Sequence, residues 1–388
     1  MLGSLAGIRV VDVTMSVAGP FATLILADLG ADVIKVERPG VGDDTRSWGP
    51  PFWEGESCHF SALNRNKRSV ELDLKDPEGA AHFRELLASA DVFVQNLRPG
   101  SLAKLGFGYD DVAAINPRLI YCDMTGYGSD GPLASSPAYD PLMQAFSGLM
   151  SLTGEDGRPP SRIPVSVLDQ GTGMWTAIAV LDALRTRDRT GLGTYLETSL
   201  LSTALMWLPG QFTGYFAAGE VPKRLGSGTV GIYPYAAFPT ATGHVIIAAG
   251  NQNLWTRLCT ALDRTDLLSD PRFDQNADRV DHRDELFAEL SATLAKHDSD
   301  HWVGVLGDAG VPITPIQTLD QVAAHEQVAA IGAFQQVPHP RIPGYTSIAL
   351  PVRGTEGRPE FRMAPPLLGE HTDEVLAELA GRRKEVGE

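Results

Sequence analysis

The chain has 388 residues, of which 43% are hydrophobic and 21% are charged, a composition typical of a globular protein with two or three domains. Its formal net charge of −16 argues against a nucleic-acid-binding protein, which needs a basic surplus or a basic stripe. The sequence has neither an apolar run of about 18 residues nor a basic segment leading into an apolar core, so we expect no membrane span and no export.

The three cysteines, Cys58, Cys122 and Cys259, form an odd set without the spacing of metal ligands. Such usage favours a reducing compartment, and we expect a cytoplasmic protein. We expect no metal site, because the cysteines lack that spacing and the single H-x-x-x-H pair, His297 and His301, lies outside any recognisable metal-binding motif.

The first forty residues predict a β-α-β unit. Residues 8–13 (IRVVDV) read as a continuous apolar strand, residues 19–30 (GPFATLILADLG) have helical spacing, and residues 31–37 (ADVIKVE) read as a second strand. Pro20 suits the first turn of the helix and Gly30 suits its end. A dehydrogenase would use this unit to bind a dinucleotide, but TMSVAGP lacks the G-x-G-x-x-G spacing that the pyrophosphate needs.

The same alternation continues to residue 128. Residues 69–74, 91–96 and 119–128 predict three more strands, and Asp76 caps a helix that begins at Pro77. Strands that are apolar along their length and alternate with helices form a parallel sheet covered on both faces. The fold class is therefore α/β, with a Rossmann-like large domain.

The second half of the chain has a different sequence pattern. Residues 176–187 predict a long amphipathic helix, and beyond residue 229 a short strand pair is followed by mostly helical sequence. We interpret residues 225–330 as a smaller, inserted α+β domain, with 1–224 and 331–388 forming the large one. Helical spacing predicts core positions for three large side chains, Trp175, Met206 and Trp207.

The stretch IPVSVLDQGTGMWT (residues 163–176) contains one aspartate, Asp169, in an otherwise apolar setting. An unpartnered carboxylate is costly to bury, so Asp169 needs a reason to be there. In one interpretation it ends a strand and caps a helix that starts near Gly171. In the other it is a nucleophile or an acid–base group at a strand-to-helix corner, beside the N–H groups of the Gly-Thr-Gly turn.

Four cations follow predicted strands or lie in the loops after them: Arg38, Lys75, Arg98 and Lys104. Ligands of open α/β sheets bind beyond the carboxyl ends of the strands. Arg and Lys donate charge-assisted hydrogen bonds to phosphate, so this common position favours a polyphosphate ligand.

Several segments in order closely resemble the family III CoA-transferases, a group that includes formyl-CoA transferase, carnitine CoA-transferase and the α-methylacyl-CoA racemases. The resemblance covers essentially the whole chain. It is carried by LAGIRVVDVTMSVAGPFATLILADLGADVIKVERPGVGDDTR, NRNKRSVELDLKDPEG, DVFVQNLRPGSLAKLGFGYDDV, NPRLIYCDMTGYGSDGP, AYDPLMQAFSGLMSLTG and PPLLGEHTDEVL.

The resemblance implies that Asp169 is the nucleophile, because VLDQGTGM matches the segment that carries the family's aspartate. It implies no permanently bound cofactor, with CoA and acyl-CoA as substrates and a carboxylic acid as the second substrate. It also implies a set of CoA contacts: Ser16, Val17, Arg38, Leu72, Asp73, Lys75, Asn96, Leu97, Arg98, Lys104, Tyr139 and Asp140.

The implied chemistry passes through an aspartyl anhydride and an aspartyl-CoA thioester. Backbone N–H groups near Gly171 would stabilise the tetrahedral steps. A racemase or epimerase is the alternative, but its Gly-His-Asp segment is here Ala138-Tyr139-Asp140, and tyrosine is a poor base in place of histidine. A CoA-thioester-binding protein without turnover is a third interpretation.

Three further features follow from the resemblance. Formyl-CoA transferase closes a glycine run over its site, whereas AAGNQN (residues 248–253) has only Gly250, which argues against oxalate specificity. Asn251 and Gln252 either approach the acceptor acid or belong to a plain loop. His371, in GEHTDEVL, is expected to cap or pack a terminal helix. The family resemblance also implies an obligate homodimer with interlocked chains.

Overall fold

The computed structural model describes residues 3–386, which form thirteen strands and sixteen α-helices. The strands are β1 (Arg9–Asp12), β2 (Asp32–Glu37), β3 (Phe52–Trp53), β4 (Glu56–Ser57), β5 (Lys67–Glu71), β6 (Val92–Gln95), β7 (Ile120–Thr125), β8 (Tyr195–Ser199), β9 (Tyr235–Pro239), β10 (His244–Ala248), β11 (Ile313–Pro315), β12 (Phe334–Gln336) and β13 (Thr346–Ile348).

The helices include one of 24 residues, α7, which is the longest in the described chain. They are α1 (Ala18–Asp28), α2 (Cys58–Leu63), α3 (Pro77–Ala88), α4 (Tyr109–Ile115), α5 (Asp140–Phe146), α6 (Leu149–Leu152), α7 (Val167–Thr190), α8 (Leu200–Met206), α9 (Pro209–Ala218), α10 (Gln252–Ala261), α11 (Asn276–Asp281), α12 (Arg283–Leu294), α13 (Ser299–Asp308), α14 (Leu319–Ala324), α15 (Glu326–Ala330) and α16 (Thr372–Val386).

The chain divides into two compact units, the first made of residues 1–147, 163–213 and 326–388. Its sheet has the order β5-β2-β1-β6-β7-β8, and every pairing is parallel. This is the doubly wound order in which β1 and β6 flank the point where the winding reverses. The predicted parallel α/β sheet is confirmed.

The predicted first helix and its neighbours also form. Asp76 caps α3, since its carboxylate accepts the N–H groups of Glu78 at 3.0 Å and Gly79 at 3.2 Å. The strands, however, are not apolar throughout, because Asp12, Lys35 and Lys67 lie in β1, β2 and β5 with no exposed surface.

One face of this sheet packs against helices α3, α4 and α16 through a core rich in aromatic rings. Phe83 contacts Phe93 and Phe107 edge to face, at centroid distances of 5.7 and 4.8 Å. On the other side of the sheet α1 and α7 lie together. These two layers hold the carboxyl ends of the strands in place.

The second compact unit consists of residues 148–162 and 214–325. Its antiparallel sheet has the order β11-β10-β9, and its own core includes Trp255, Phe238 and Phe273. The short strand pair predicted beyond residue 229 is confirmed as β9 and β10. Among the described residues, each helix is too short or too polar to cross a bilayer.

Candidate active site

The loop after β1 has a strained backbone that side chains from β2 and from the loop after β2 hold in place. Ser16 has φ of +65°, a left-handed conformation that is unfavourable for residues other than glycine. Its N–H donates to Oδ1 of Asp43 at 3.2 Å, and Nζ of Lys35 donates to the Thr14 carbonyl at 2.7 Å. Two neighbouring elements therefore fix this loop.

A buried group of four charges lies beneath the loop. Lys35 pairs with Asp43 at 2.9 Å and Lys67 pairs with Asp12 at 3.2 Å, and none of the four side chains is exposed. Burial lowers the pKa of Lys67 to about 8, although the attraction of Asp12 opposes this. The sequence analysis missed this group. Its signal was Asp12 and Lys35 beside the apolar residues of β1 and β2, because a buried charge needs a partner.

A cavity of about 110 Å³ opens at the carboxyl ends of β1, β2 and β6. Three of the predicted CoA contacts, Arg38, Leu72 and Leu97, line it. Its full lining is Val13, Thr14, Met15, Lys35, Val36, Glu37, Arg38, Gly42, Asp43, Leu72, Leu74 and Leu97. The structure thus brings these three residues together at the switch point of the sheet, where such folds bind ligands.

Asn96 joins the loop after β6 to the loop after β1. Its Oδ1 accepts the Met15 N–H at 2.9 Å, and its Nδ2 donates to the Met15 carbonyl at 2.8 Å. Val17, buried, occupies the position just before α1. The predicted contacts Ser16, Val17 and Asn96 therefore belong to one hydrogen-bonded corner.

The four predicted cations are less closely grouped. The Arg38 guanidinium lines the cavity and donates to the Gly42 carbonyl at 2.9 Å. Lys75, Arg98 and Lys104 are exposed, and the described cavity lining does not include them. Asp73 is exposed and accepts the backbone N–H of Lys75 at 2.9 Å, so its carboxylate shapes that turn.

Asp169 lies in the first turn of α7, and the expected strand before it is wrong. The helix begins at Val167, two residues before Asp169 rather than near Gly171. Its first turn is capped by Asp140, whose Oδ2 accepts the N–H groups of Leu168 at 2.7 Å and Asp169 at 3.3 Å. A carboxylate at a helix N-terminus satisfies free N–H groups and suits the helix dipole.

The expected Gly-Thr-Gly turn is wrong for the same reason, because these residues lie inside α7. Their N–H groups belong to the helix hydrogen-bond ladder and do not face a reacting carbonyl. The glycines serve packing instead. A Cβ at Gly173 would stand 2.8 Å from the Ala18 carbonyl oxygen, and one at Gly171 would stand 2.8 Å from Nε1 of Trp207.

Burial, together with the nearby charge of Asp140, raises the pKa of Asp169 to about 7. Asp140 itself is only 1% exposed, whereas the neighbouring Tyr139 is 59% exposed. The Asp140 carboxylate contacts the backbone of α7 and the amide of Gln144, at 2.6 Å. Gln144 was not selected from the sequence, because its bonds to the Ile163 backbone, 19 residues away, are not visible locally.

The loop of Gly250, Asn251 and Gln252 belongs to the second compact unit. Asn251 caps α10 by accepting the Leu254 N–H at 3.0 Å. Gln252 donates to the Asp274 carbonyl at 2.9 Å and accepts from Arg279 at 3.1 Å. These side chains stabilise the loop itself, and Gly250 is exposed.

The C-terminal GEHT segment binds the edge strand β5. His371 donates its N–H to the Ser69 carbonyl at 2.9 Å, and its Nδ1 accepts the Ser69 N–H at 3.3 Å. Glu370 accepts the Leu367 N–H at 2.7 Å. These bonds hold the start of α16 against β5, which supports packing as the role of His371, whereas capping of the helix stays a prediction.

Comparison with known proteins places this geometry in a family. Residues 5–372 match CoA-transferase family III. The chain is 41% identical to a succinyl-CoA:glutarate CoA-transferase of Mus musculus over 97% of this chain and 86% of that protein. It is 39% identical to a succinate–glutarate CoA-transferase of Agrobacterium fabrum over 97% of this chain and 95% of that protein.

A solved structure of a CAIB/BAIF family protein from Brucella suis has the same fold, with a TM-score of 0.89 and 39% identity over 97% of this chain and 99% of that one. The doubly wound sheet and its relatives define an enzyme of the CoA-transferase class. More narrowly, the chain belongs to CoA-transferase family III.

Proposed function

We propose that this enzyme moves CoA from an acyl-CoA donor to a carboxylic acid through covalent intermediates on Asp169. The observation that carries the proposal is the position of Asp169 in the first turn of α7, within an enzyme of this family. Its pKa of about 7 leaves a substantial ionised fraction near neutral pH while keeping the carboxylate more basic than a solvated one.

In the first half of the reaction, an ionised Asp169 oxygen attacks the donor thioester carbonyl. The C–O bond forms, the C–S bond breaks, and CoA leaves as a thiolate, which gives a mixed anhydride. The thiolate then attacks the aspartyl Cγ, so the anhydride C–O bond breaks and the donor acid leaves. The enzyme now holds an aspartyl-CoA thioester.

The second half reverses these steps with a new acid. The acceptor carboxylate attacks the aspartyl thioester and releases the thiolate, which gives a second anhydride. The thiolate attacks the acceptor carbonyl, and Asp169 returns as a free carboxylate. Each step is an acyl transfer that leaves oxidation states unchanged, so the reaction needs no redox cofactor.

CoA binding is assigned to the loops at the carboxyl ends of β1, β2, β5 and β6. Arg38, Leu72 and Leu97 line the cavity there, and Lys75, Arg98 and Lys104 supply exposed positive charge for phosphates. Asp73 and Tyr139 complete the proposed set, together with the hydrogen-bonded corner of Ser16, Val17 and Asn96. For Asp140 the buried contacts support a positioning role through α7 rather than direct contact with CoA.

Short dicarboxylic acids are the proposed substrates, because the two relatives described above are named for succinyl-CoA, succinate and glutarate. Gly250, Asn251 and Gln252 remain the proposed acceptor loop. The test measures CoA transfer from succinyl-CoA to glutarate by chromatography, with monocarboxylic acids as a comparison panel. Asp169→Ala is expected to lower kcat by at least about a thousandfold.

The alternatives give different results in the same assay. Transfer only to monocarboxylic acids would overturn the proposed substrate class. Affinity for CoA without turnover would identify a binding protein. Exchange of the α-proton of a branched acyl-CoA in heavy water, without transfer, would identify a racemase.

We also propose an obligate homodimer with interlocked chains, working in the cytoplasm. The predicted core positions of Trp175, Met206 and Trp207 are wrong, since these side chains are 42, 61 and 49% exposed. Along α7, Met174, Trp175, Ile178 and Leu181 form an exposed apolar stripe. A second copy of the chain would remove this large apolar surface from water.

A further inference from the structure

Gln144 is a buried amide that touches two parts of the chain leading to Asp169. It lies one turn after Asp140 on α5 and has no exposed surface. Its Nε2 donates to Oδ1 of Asp140 at 2.6 Å and to the Ile163 carbonyl at 3.2 Å. Its Oε1 accepts the Ile163 N–H at 2.8 Å. One side chain thus satisfies a carboxylate and both polar groups of a backbone residue.

Both partners of Gln144 lead to the first turn of α7. Ile163 begins the segment of four residues before Val167, where the helix starts. Asp140 holds the same turn directly, through the N–H groups of Leu168 and Asp169. The amide therefore fixes the approach to the helix and the cap of the helix at the same time.

Position 144 requires a neutral side chain that both donates and accepts hydrogen bonds. Asp140, when ionised, only accepts hydrogen bonds, so a buried neighbour must supply a donor. The Ile163 N–H, in turn, needs an acceptor. A leucine would satisfy neither partner, and a glutamate would bring a second carboxyl group against Asp140.

We propose that Gln144 is a positioning residue for CoA transfer, holding Asp140 and Ile163 so that the first turn of α7 presents the Asp169 carboxylate to the thioester. This inference rests on the proposed function, because it takes Asp169 as the attacking group. Gln144 acts through these partners and does not touch the reacting atoms.

Two variants of the full chain test this role. Gln144→Ala removes all three hydrogen bonds, and we expect kcat to fall by about 10- to 100-fold because the attacking group is displaced. The KM for acyl-CoA should change by less than about twofold, since the proposed CoA contacts other than Tyr139 and Asp140 lie in the loops after β1, β2, β5 and β6. An unchanged kcat in the folded variant would overturn the proposal.

Gln144→Glu adds a second measurement, the pH dependence of activity, which a purely structural role of Gln144 would leave unchanged. At low pH the introduced carboxyl group is protonated, so its O–H donates to Asp140 in place of the lost N–H while its other oxygen still accepts the Ile163 N–H. The charged groups of this hydrogen-bonded set are then Asp140, the introduced carboxyl group and Asp169. We expect the activity of this variant relative to wild type to fall as pH rises, whereas the ratio for Gln144→Ala stays flat. If the activity of Gln144→Glu relative to wild type did not change with pH either, the proposal would be contradicted. If Gln144→Ala fails to fold, the pH profile of Gln144→Glu alone tests the proposal.

A matched control removes another glutamine that bonds a helix terminus. Gln321 accepts the Thr318 N–H at 2.9 Å before α14, in the other compact unit. Gln321→Ala should keep wild-type kcat and a wild-type pH profile.

Trapping of covalent adducts separates failure of this inference from failure of the proposed function. If wild type forms an adduct on Asp169 and Gln144→Ala forms it as fast, Gln144 has no positioning role but the function stands. If the variant forms it about 10-fold more slowly or worse, the inference is supported. If wild type forms none, the proposed function itself fails.

Discussion

Asp169 combines two conditions that oppose each other. Burial and the charge of Asp140 raise its pKa to about 7, whereas the N-terminus of α7 favours its charged form. The outcome is a carboxylate that ionises near neutral pH and is more nucleophilic than a solvated aspartate. In the proposed reaction, kcat/KM should therefore fall as pH drops below about 7.

Asp140→Asn tests the electrostatic part of this account. The amide oxygen still accepts an N–H from α7, but the negative charge is gone, so the pKa of Asp169 should fall. We expect the acidic limb of the kcat/KM profile to move to lower pH by about one unit. Asp188→Asn, an exposed change in the last turn of the same helix, should leave the limb in place. If the acidic limb of the kcat/KM profile does not shift in either variant, Asp140 does not set the pKa of Asp169.

Asp169→Asn should stabilise the protein, increasingly so at higher pH. The folded pKa of about 7 lies above the ordinary value of 3.8, so stability is full below about pH 4 and is lost as pH rises through 7. Asparagine avoids this loss, which amounts to roughly 2–4 kcal/mol at pH 8 at about 1.4 kcal/mol per pKa unit. Thermal unfolding of both proteins between pH 4.5 and 8 measures the gap. A gap of constant size would mean that the Asp169 pKa is not raised.

At the scale of elements, α1 and α7 are in close contact, and the second turn of α7 lies against the first half of α1. Gly173 makes this contact possible, since a Cβ there would stand 2.8 Å from the Ala18 carbonyl oxygen and 3.0 Å from the Ala22 nitrogen. A glycine inside a helix is unfavourable, so packing explains its presence.

Gly173→Ala should destabilise the protein by about 1–3 kcal/mol, because the backbone of α1 must move away. Gly304→Ala on α13 is the matched control, since nothing lies within 4 Å of its added Cβ. That change should be neutral or stabilise by up to about 1 kcal/mol. Denaturant unfolding compares the two, and equal effects would contradict the packing account.

The elements differ in how far local sequence predicts them. Strands β1 and β2, helix α1 and the Asp76 cap follow from apolar periodicity and neighbouring residues. The start of α7 does not, because its cap is Asp140, a residue 29 positions before Asp169. The apolar run before Asp169 fits a strand equally well until that partner is known.

The buried charges show the same limit. Asp12, Lys35 and Lys67 are visible in the sequence, but the pairing of Lys67 with Asp12 depends on the strand order β5-β2-β1. The loops that carry Arg38 and Asn96 were therefore predictable as neighbours at the switch point of the sheet, whereas the role of Asp169 stays a prediction. The side chains that hold those residues were not predictable.

At the scale of the whole molecule, the proposed site draws on segments far apart in the sequence. The loops after β1 and β6, helix α5 and helix α7 all belong to the first compact unit. The alternation of apolar strands with helices predicted the parallel sheet, whereas the exposure of Trp175 and Ile178 became visible only in the structure.

The proposed homodimer should sediment as a single dimeric species at micromolar concentration. Replacing Trp175 and Ile178 by glutamate places charge in the apolar stripe of α7, and we expect monomers or loss of folded protein. Arg185→Glu, an exposed change further along the same helix, tests whether charge alone has this effect. A monomeric wild-type protein would contradict the dimer.

The most direct test of the central claim is to locate the covalent intermediate. The enzyme is incubated with succinyl-CoA, quenched with hydroxylamine, digested and analysed by tandem mass spectrometry, with Asp169→Ala as the control. We expect a hydroxamate on Asp169 that appears only with an acyl-CoA donor and is missing from the Asp169→Ala control. Continued CoA transfer with no modification of Asp169, or a modification on another residue, would contradict it.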